Sequence, residues 1–200
     1  MLVWINGPFG GGKTTTAFEL ARRCEGAVVC DPEEVGFGLT RAMPRAAWPH
    51  DFQDLRSWRQ GVVEVLDRTL LGVDAPVIVP MTLVEPAYVD EVDGGLRDLG
   101  HEVRHIALIS SAEEIRRRLW WRGIPGVNRE HWMLARVDSS LETLRRPGFA
   151  DQVDTTGLSV AEVADVVADL VGLRIAPSSD GPVRGWLRRT RTSLRHVRLR

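Results

Sequence analysis

The single lysine of the chain, Lys13, stands in Gly7-Pro8-Phe9-Gly10-Gly11-Gly12-Lys13-Thr14, while the other 25 basic residues are all arginines. The string satisfies G-x-x-x-x-G-K-[ST] at every position. Glycines without a Cβ let successive backbone N–H groups curl around an anion, and a following helix adds its positive N-terminal end. Lysine brings a compact point charge to phosphate oxygens where arginine would bring a planar fork. The chemistry is that of a nucleoside triphosphate site, with Lys13 at the β- and γ-phosphates and the Thr14 hydroxyl on Mg²⁺. Gly7, Phe9, Gly10, Gly11, Gly12, Lys13, Thr14 and Thr15 are the expected contacts to ATP. The alternative is a glycine-rich turn carrying an incidental lysine.

A second set of candidates follows from where ligands bind in α/β sheets, at the carboxyl ends of the strands. Asp31 directly follows a short apolar run and precedes Pro32, which favours extended backbone. Its carboxylate could take a proton from a substrate hydroxyl or help hold Mg²⁺, or it could simply form an Asp-Pro turn. Thr82, after Pro80-Met81, is a candidate substrate contact or an ordinary strand end. That run contains no aspartate, so the usual second metal carboxylate is missing there, which gives Asp31 more weight. Phe52, Trp58 and Arg59, in a segment with Trp48, His50 and Asp51, suit a pocket for an organic acceptor or plain core burial.

Between Glu113 and Arg146 lie Arg116, Arg117, Arg118, Arg122, Arg129, Arg136, Arg145 and Arg146. Arg122-Gly123-Ile124-Pro125-Gly126 interrupts the helical pattern, which suggests a lid over about residues 116–137 that closes on the nucleotide. Arg118 and Arg122 are the candidates for stabilising developing charge, Arg129 for nucleotide binding, with Arg136 next.

The elements that must position these groups alternate. Met1 to Ile5 reads as a strand and Thr14 to Ala21 opens a helix. Further strands are expected at 26–30, 76–81, 103–109 and 153–155, with helices at 52–71, 86–99, from Ser111 and from Ser159. Ser111 with Glu114 has capping-box spacing, and Gly100 is a helix stop. The pattern predicts an α/β fold, a parallel sheet with helices on both faces, and the arginine-rich segment adds a helical lid.

Charge divides the chain. Residues 174–200 hold eight arginines and one acid (+7), and residues 1–173 hold 18 basic and 26 acidic residues (−8). The expected organisation is a core at 1–173, a Pro/Ser/Gly linker at 174–182 and a basic segment at 183–200. In the last, Val183, Trp186, Leu187, Thr190, Leu194 and Val197 recur at helical spacing. That suits an amphipathic helix on an anionic membrane surface, a solvated tail, or less readily a nucleic-acid arm. No run reaches eighteen apolar residues, and no signal peptide is visible. Two cysteines without metal spacing suit a reducing compartment, so the expected location is cytoplasmic, with peripheral contact to the inner membrane face.

Val3-Trp4-Ile5-Asn6-Gly7, Phe9-Gly10, Gly12-Lys13-Thr14, Asp31-Pro32-Glu33, Gly36-Phe37, Asp51-Phe52-Gln53 and Pro80-Met81-Thr82 together resemble the tunicamycin resistance ATP-binding protein family. The resemblance runs over residues 1–173. It places the chain near small P-loop kinases such as chloramphenicol phosphotransferase, gluconate kinase and adenylate kinase. It implies an α/β fold of the P-loop nucleoside- or nucleotide-kinase type, with a five-stranded parallel sheet flanked by helices and a helical lid. It also implies ATP binding and protection against a nucleoside antibiotic, with Asp31 as catalytic base. Three functions stay open: phosphotransfer to tunicamycin or a similar nucleoside, ATP-dependent sequestration of the drug, and a metabolic nucleoside or sugar kinase.

Overall fold

The computed structural model describes residues 1–120 and 135–178. Five parallel strands, β1 (Leu2–Asn6), β2 (Val28–Val29), β3 (Val77–Pro80), β4 (Val103–Ile109) and β5 (Asp151–Asp154), form one sheet in the order β2-β3-β1-β4-β5. Seven helices among the described residues flank it: α1 (Lys13–Arg23), α2 (Glu33–Ala42), α3 (Arg56–Gly72), α4 (Pro86–Asp98), α5 (Ala112–Trp120), α6 (Val137–Leu144) and α7 (Val160–Val171).

β1 is central and every residue of it is buried, because its two faces serve two cores. Leu2 and Trp4 point to the side of α3 and α4, among Val77, Val79, Trp58, Val62, Leu66, Val92 and Leu96. Val3 and Ile5 point to the other side, among Ala17, Leu20, Ile78, Ile106, Leu108, Val163 and Val167 of α1, the strands and α7. Successive strand residues alternate faces, so the run Leu2 to Ile5, apolar at every position, is what a doubly covered parallel strand requires. A third cluster joins Ile115 and Leu119 of α5 to Val137 and Leu141 of α6, with Phe9 against it.

Element limits differ from the sequence expectation where local hydrogen bonds intervene. The second strand is two residues long, not five, because it is an edge strand held only to β3. Residues 52–54 form a 3₁₀ turn, not the start of a long helix: the Asp51 carboxylate accepts from Gln53 N, and Leu55 N donates to Phe52 O before α3 begins. α4 starts on a proline and stops as expected at Gly100, which is left-handed (φ 88°). At α5 only half of the expected capping box forms. Glu114 N donates to Ser111 Oγ, while the Glu114 carboxylate turns to Arg118 and Ser110. At α7 both halves form, between Ser159 and Glu162. No helix of the described residues is long and apolar enough to cross a membrane.

Candidate functional site

The site is built from the carboxyl end of the sheet, where β1 runs into the glycine loop. Gly10 and Gly12 adopt left-handed backbone (φ 79° and 93°), and a Cβ on Gly10 would sit 2.8 Å from Leu119 Cγ. The loop thus turns tightly beneath α5. A Cβ on Gly11 would stand 2.9 Å from Pro8 O, which already accepts from Gly11 N. The cradle is therefore one that side chains would fill. α1 opens on Lys13 with no side-chain cap and no acid in its first turn, so its positive end stays available to an anion. Lys13 Nζ donates to Gly7 O and Pro8 O, each at 3.0 Å, and lies 5.6 Å from the Phe9 ring centroid. Its ammonium is held at the mouth of the loop by carbonyls that phosphate oxygens can replace. These features fit a triphosphate. Thr15 Oγ1 donates to Gly12 O and closes the first helical turn.

Asp31 follows β2 at the same edge of the sheet, two strands from β1. Its Oδ1 accepts from Glu33 N at 3.0 Å, which starts α2 on an Asx turn. Thr14 and Asp31 offer one hydroxyl and one carboxylate, a donor set suited to Mg²⁺, which takes few protein ligands and completes its shell with water and phosphate. Among the described residues no group of three or more His, Cys, Asp or Glu is arranged to hold a metal ion. The neighbouring Cys30 thiol is pushed above its usual range, chiefly by burial.

Thr82 is buried and its hydroxyl donates to Gly7 O at 2.8 Å, while its carbonyl accepts from Gln53 Nε2 at 2.9 Å. It therefore bolts the segment after β3 to the glycine loop. Phe52 lies across Gly36, where a Cβ would come within 2.6 Å of the ring, and contacts Phe37 and Trp58. Of the two alternatives for Trp58, its placement matches core burial: it is fully buried and donates Nε1–H to Pro32 O, so it supports Phe52 and the Asp31-Pro32 turn from behind. Arg59 is likewise committed locally: it pairs with Glu91, donates to Gln53 O and stacks over the Tyr88 ring at 4.2 Å.

Arg118 donates to Glu114 at 2.5 Å and to Thr155 O at 3.3 Å, so it ties α5 to the turn after β5. In that turn Thr156 lowers the Asp154 pKa, through its side chain first and then its backbone N–H. Arg122 and Arg129 lie outside the described residues, as does the segment 183–200. Arg136 donates to Asp51 Oδ2 at 2.9 Å and connects the start of α6 to the 52–54 turn. The structure thus gathers Gly7–Thr15, Asp31, Phe52 and Thr82 around one sheet edge. It adds Asn6, Gln53 and Asp51, whose importance lies in contacts 29 to 99 residues away in sequence.

Sheet order, loop and lysine define a P-loop kinase-like nucleotide-binding domain. The family model for the AAA domain matches residues 2–147. The fold is similar to that of the Deinococcus radiodurans tunicamycin resistance protein, with TM-score 0.75 and 31% identity over 88% of this chain and 99% of that one. It is also similar to a sugar kinase from Janibacter sp. (TM-score 0.62, 22% identity, 86% and 94% covered). A gluconokinase from Sinorhizobium meliloti shares the fold as well (TM-score 0.62, 17% identity, 85% and 90% covered). No curated protein matches the sequence. The chain belongs to the AAA-domain P-loop family and, within it, to the tunicamycin resistance proteins, a branch of the small P-loop kinases.

Proposed function

We propose that the protein is a small-molecule phosphotransferase that moves the γ-phosphoryl of ATP to a hydroxyl of tunicamycin or a related nucleoside. The observation that carries this reading is the placement of Asp31 on the same sheet edge as the Lys13 loop, with the Thr82 segment between them. ATP supplies the phosphoryl group, and Mg²⁺ spreads the charge of its oxygens. Lys13 and the first amides of α1 hold the phosphates, and Thr14 offers its hydroxyl to the metal. Asp31 takes the acceptor proton as the new P–O bond forms and the bond to the leaving ADP oxygen breaks. Phe52 and the 52–54 turn wall the acceptor side, and the arginines of residues 116–137, among them Arg118, Arg122, Arg129 and Arg136, neutralise the transferred group.

One contact favours a second reading, in which the drug is bound in an ATP-dependent way without chemistry. Asp31 Oδ1 already serves the α2 turn, as a purely structural aspartate would. Incubation with Mg-ATP and tunicamycin separates the readings. A product heavier by about 80 Da, one phosphoryl group, supports transfer, and intact drug with retained protection supports sequestration. Phosphorylation of common nucleosides or sugars but not tunicamycin supports a metabolic kinase.

For residues 183–200 the proposal is a peripheral anchor on an anionic membrane, read from the apolar spacing and the arginines alone. Deleting them should abolish binding to anionic liposomes and leave ATP binding intact. A full-length protein that never binds such liposomes refutes the anchor.

A further inference from the structure

We propose that His105 and Asp93 are positioning residues of the nucleotide site: they hold Asn6 in one orientation, and Asn6 joins the glycine loop to the segment after β3. The inference rests on the nucleotide reading above. Asn6 is the last residue of β1, fully buried, and all of its polar atoms are engaged. Its Oδ1 accepts from Gly7 N at 2.8 Å and from Leu83 N at 3.1 Å, and its Nδ2 donates to Leu83 O at 2.5 Å. Because Leu83 offers both a donor and an acceptor, the amide orientation is decided. A flipped amide would set Nδ2 against two N–H groups and Oδ1 against a carbonyl.

The decided amide fixes the next group. Asn6 Nδ2 lies 3.0 Å from His105 Nε2, so that nitrogen must accept and carry no proton. The ring proton is then on Nδ1, which donates to Asp93 Oδ2 at 3.0 Å. His105 is 8% exposed, set between the rings of Trp4 and Phe149. Asp93 Oδ1 is buried with no partner, so this carboxylate is held in place by His105. The remaining charged groups beside His105 line the same 680 Å³ cavity: Asp90 and Arg97 of α4, Arg104 of β4 and Asp151 of β5.

The consequence reaches the phosphate site. Gly7 N is held by Asn6, Gly7 O by Thr82, and Asn6 and Thr82 meet the same segment, residues 82–83. Gln53 extends the chain of bonds from Thr82 to the acceptor-side turn. The distance between loop and acceptor wall thus depends on a neutral His105. A proton added at Nε2 would face Asn6 Nδ2 donor to donor, and the amide cannot turn to relieve it.

Ring ¹⁵N spectra of the nucleotide-free protein should show His105 protonated on Nδ1 alone near pH 8; a proton on Nε2 overturns the proposal whatever the nucleotide does. ATP titrations then compare wild type, His105→Gln and His105→Leu. Glutamine keeps an oxygen acceptor near the Nε2 position, and leucine offers none. His105→Leu should bind ATP about tenfold more weakly than His105→Gln, the worth of about one hydrogen bond. Equal ATP affinities for His105→Gln and His105→Leu overturn the proposal and leave ATP binding standing. No ATP binding by wild type overturns the nucleotide reading and this proposal with it.

Discussion

Replacing Thr82 by valine removes the hydroxyl that donates to Gly7 O at 2.8 Å and leaves the shape of the side chain almost unchanged. In the nucleotide-free protein Gly7 O has a second donor, Lys13 Nζ at 3.0 Å. The carbonyl then stays satisfied, and unfolding stability should fall by only about 0.5–1.5 kcal/mol, the net worth of one hydrogen bond. With ATP bound the situation changes. Lys13 must turn to the phosphate oxygens, and Thr82 becomes the remaining one of these two donors to Gly7 O. Its loss then leaves a buried carbonyl unpaired, at a cost of about 1–3 kcal/mol. The difference between the two states, about 1 kcal/mol, predicts an ATP affinity weaker by about fivefold. Thermal unfolding without nucleotide and calorimetric ATP titration measure the two terms separately, with Thr82→Ser as the control that keeps the hydroxyl. A Thr82→Val protein that loses stability but binds ATP as tightly as wild type refutes the reasoning, because it means Lys13 does not leave Gly7 O.

Other expectations follow from the same geometry. Lys13→Ala should lower ATP affinity at least about a hundredfold, a loss of about 3 kcal/mol for a charge-assisted contact; unchanged calorimetric binding would remove the lysine from the phosphate site. Gly10→Ala forces a Cβ into left-handed backbone and 2.8 Å from Leu119 Cγ. Left-handed strain alone costs about 1–2 kcal/mol, and a free loop that relaxes to avoid it takes on this cost upon binding, so ATP affinity should fall at least about fivefold. Native-like affinity would show that the loop does not need this conformation. Glu162 in the α7 cap has its pKa lowered by the Ser159 backbone N–H and then its hydroxyl. Its contribution is therefore present above the ordinary glutamate range and lost as the pH falls through the lowered value. The melting-temperature gap between wild type and Glu162→Gln should close on acidification, and a gap that widens contradicts the cap.

The glycine loop was legible because its chemistry demands particular residue types at fixed local spacing, and β1, α1 and the end of α4 followed from equally local signals. Trp58 stayed ambiguous because an aromatic on a helix shows the same pattern whether it lines a pocket or fills the core; only the sheet behind it decides. The short β2 and the 3₁₀ turn at 52–54 depend on an edge position and on one Asp51 hydrogen bond, which apolar periodicity does not register. Asn6 and His105 were least visible. Asn6 ends one apolar strand and His105 follows Arg104 in another, and their meaning arises from a contact 99 residues apart in sequence. Such long-range polar pairing leaves no periodic trace.

Transfer of labelled γ-phosphoryl from ATP to tunicamycin, compared between wild type and Asp31→Asn, separates phosphotransfer from binding alone. Wild type should put label in the drug, and Asp31→Asn should lose at least about a hundredfold of that rate, at the lower end of what a positioned general base contributes, while ATP binding persists. Label transfer that is equally fast without the Asp31 carboxylate, or drug that stays unlabelled beside a wild-type protein binding both ligands, would contradict phosphotransfer through Asp31.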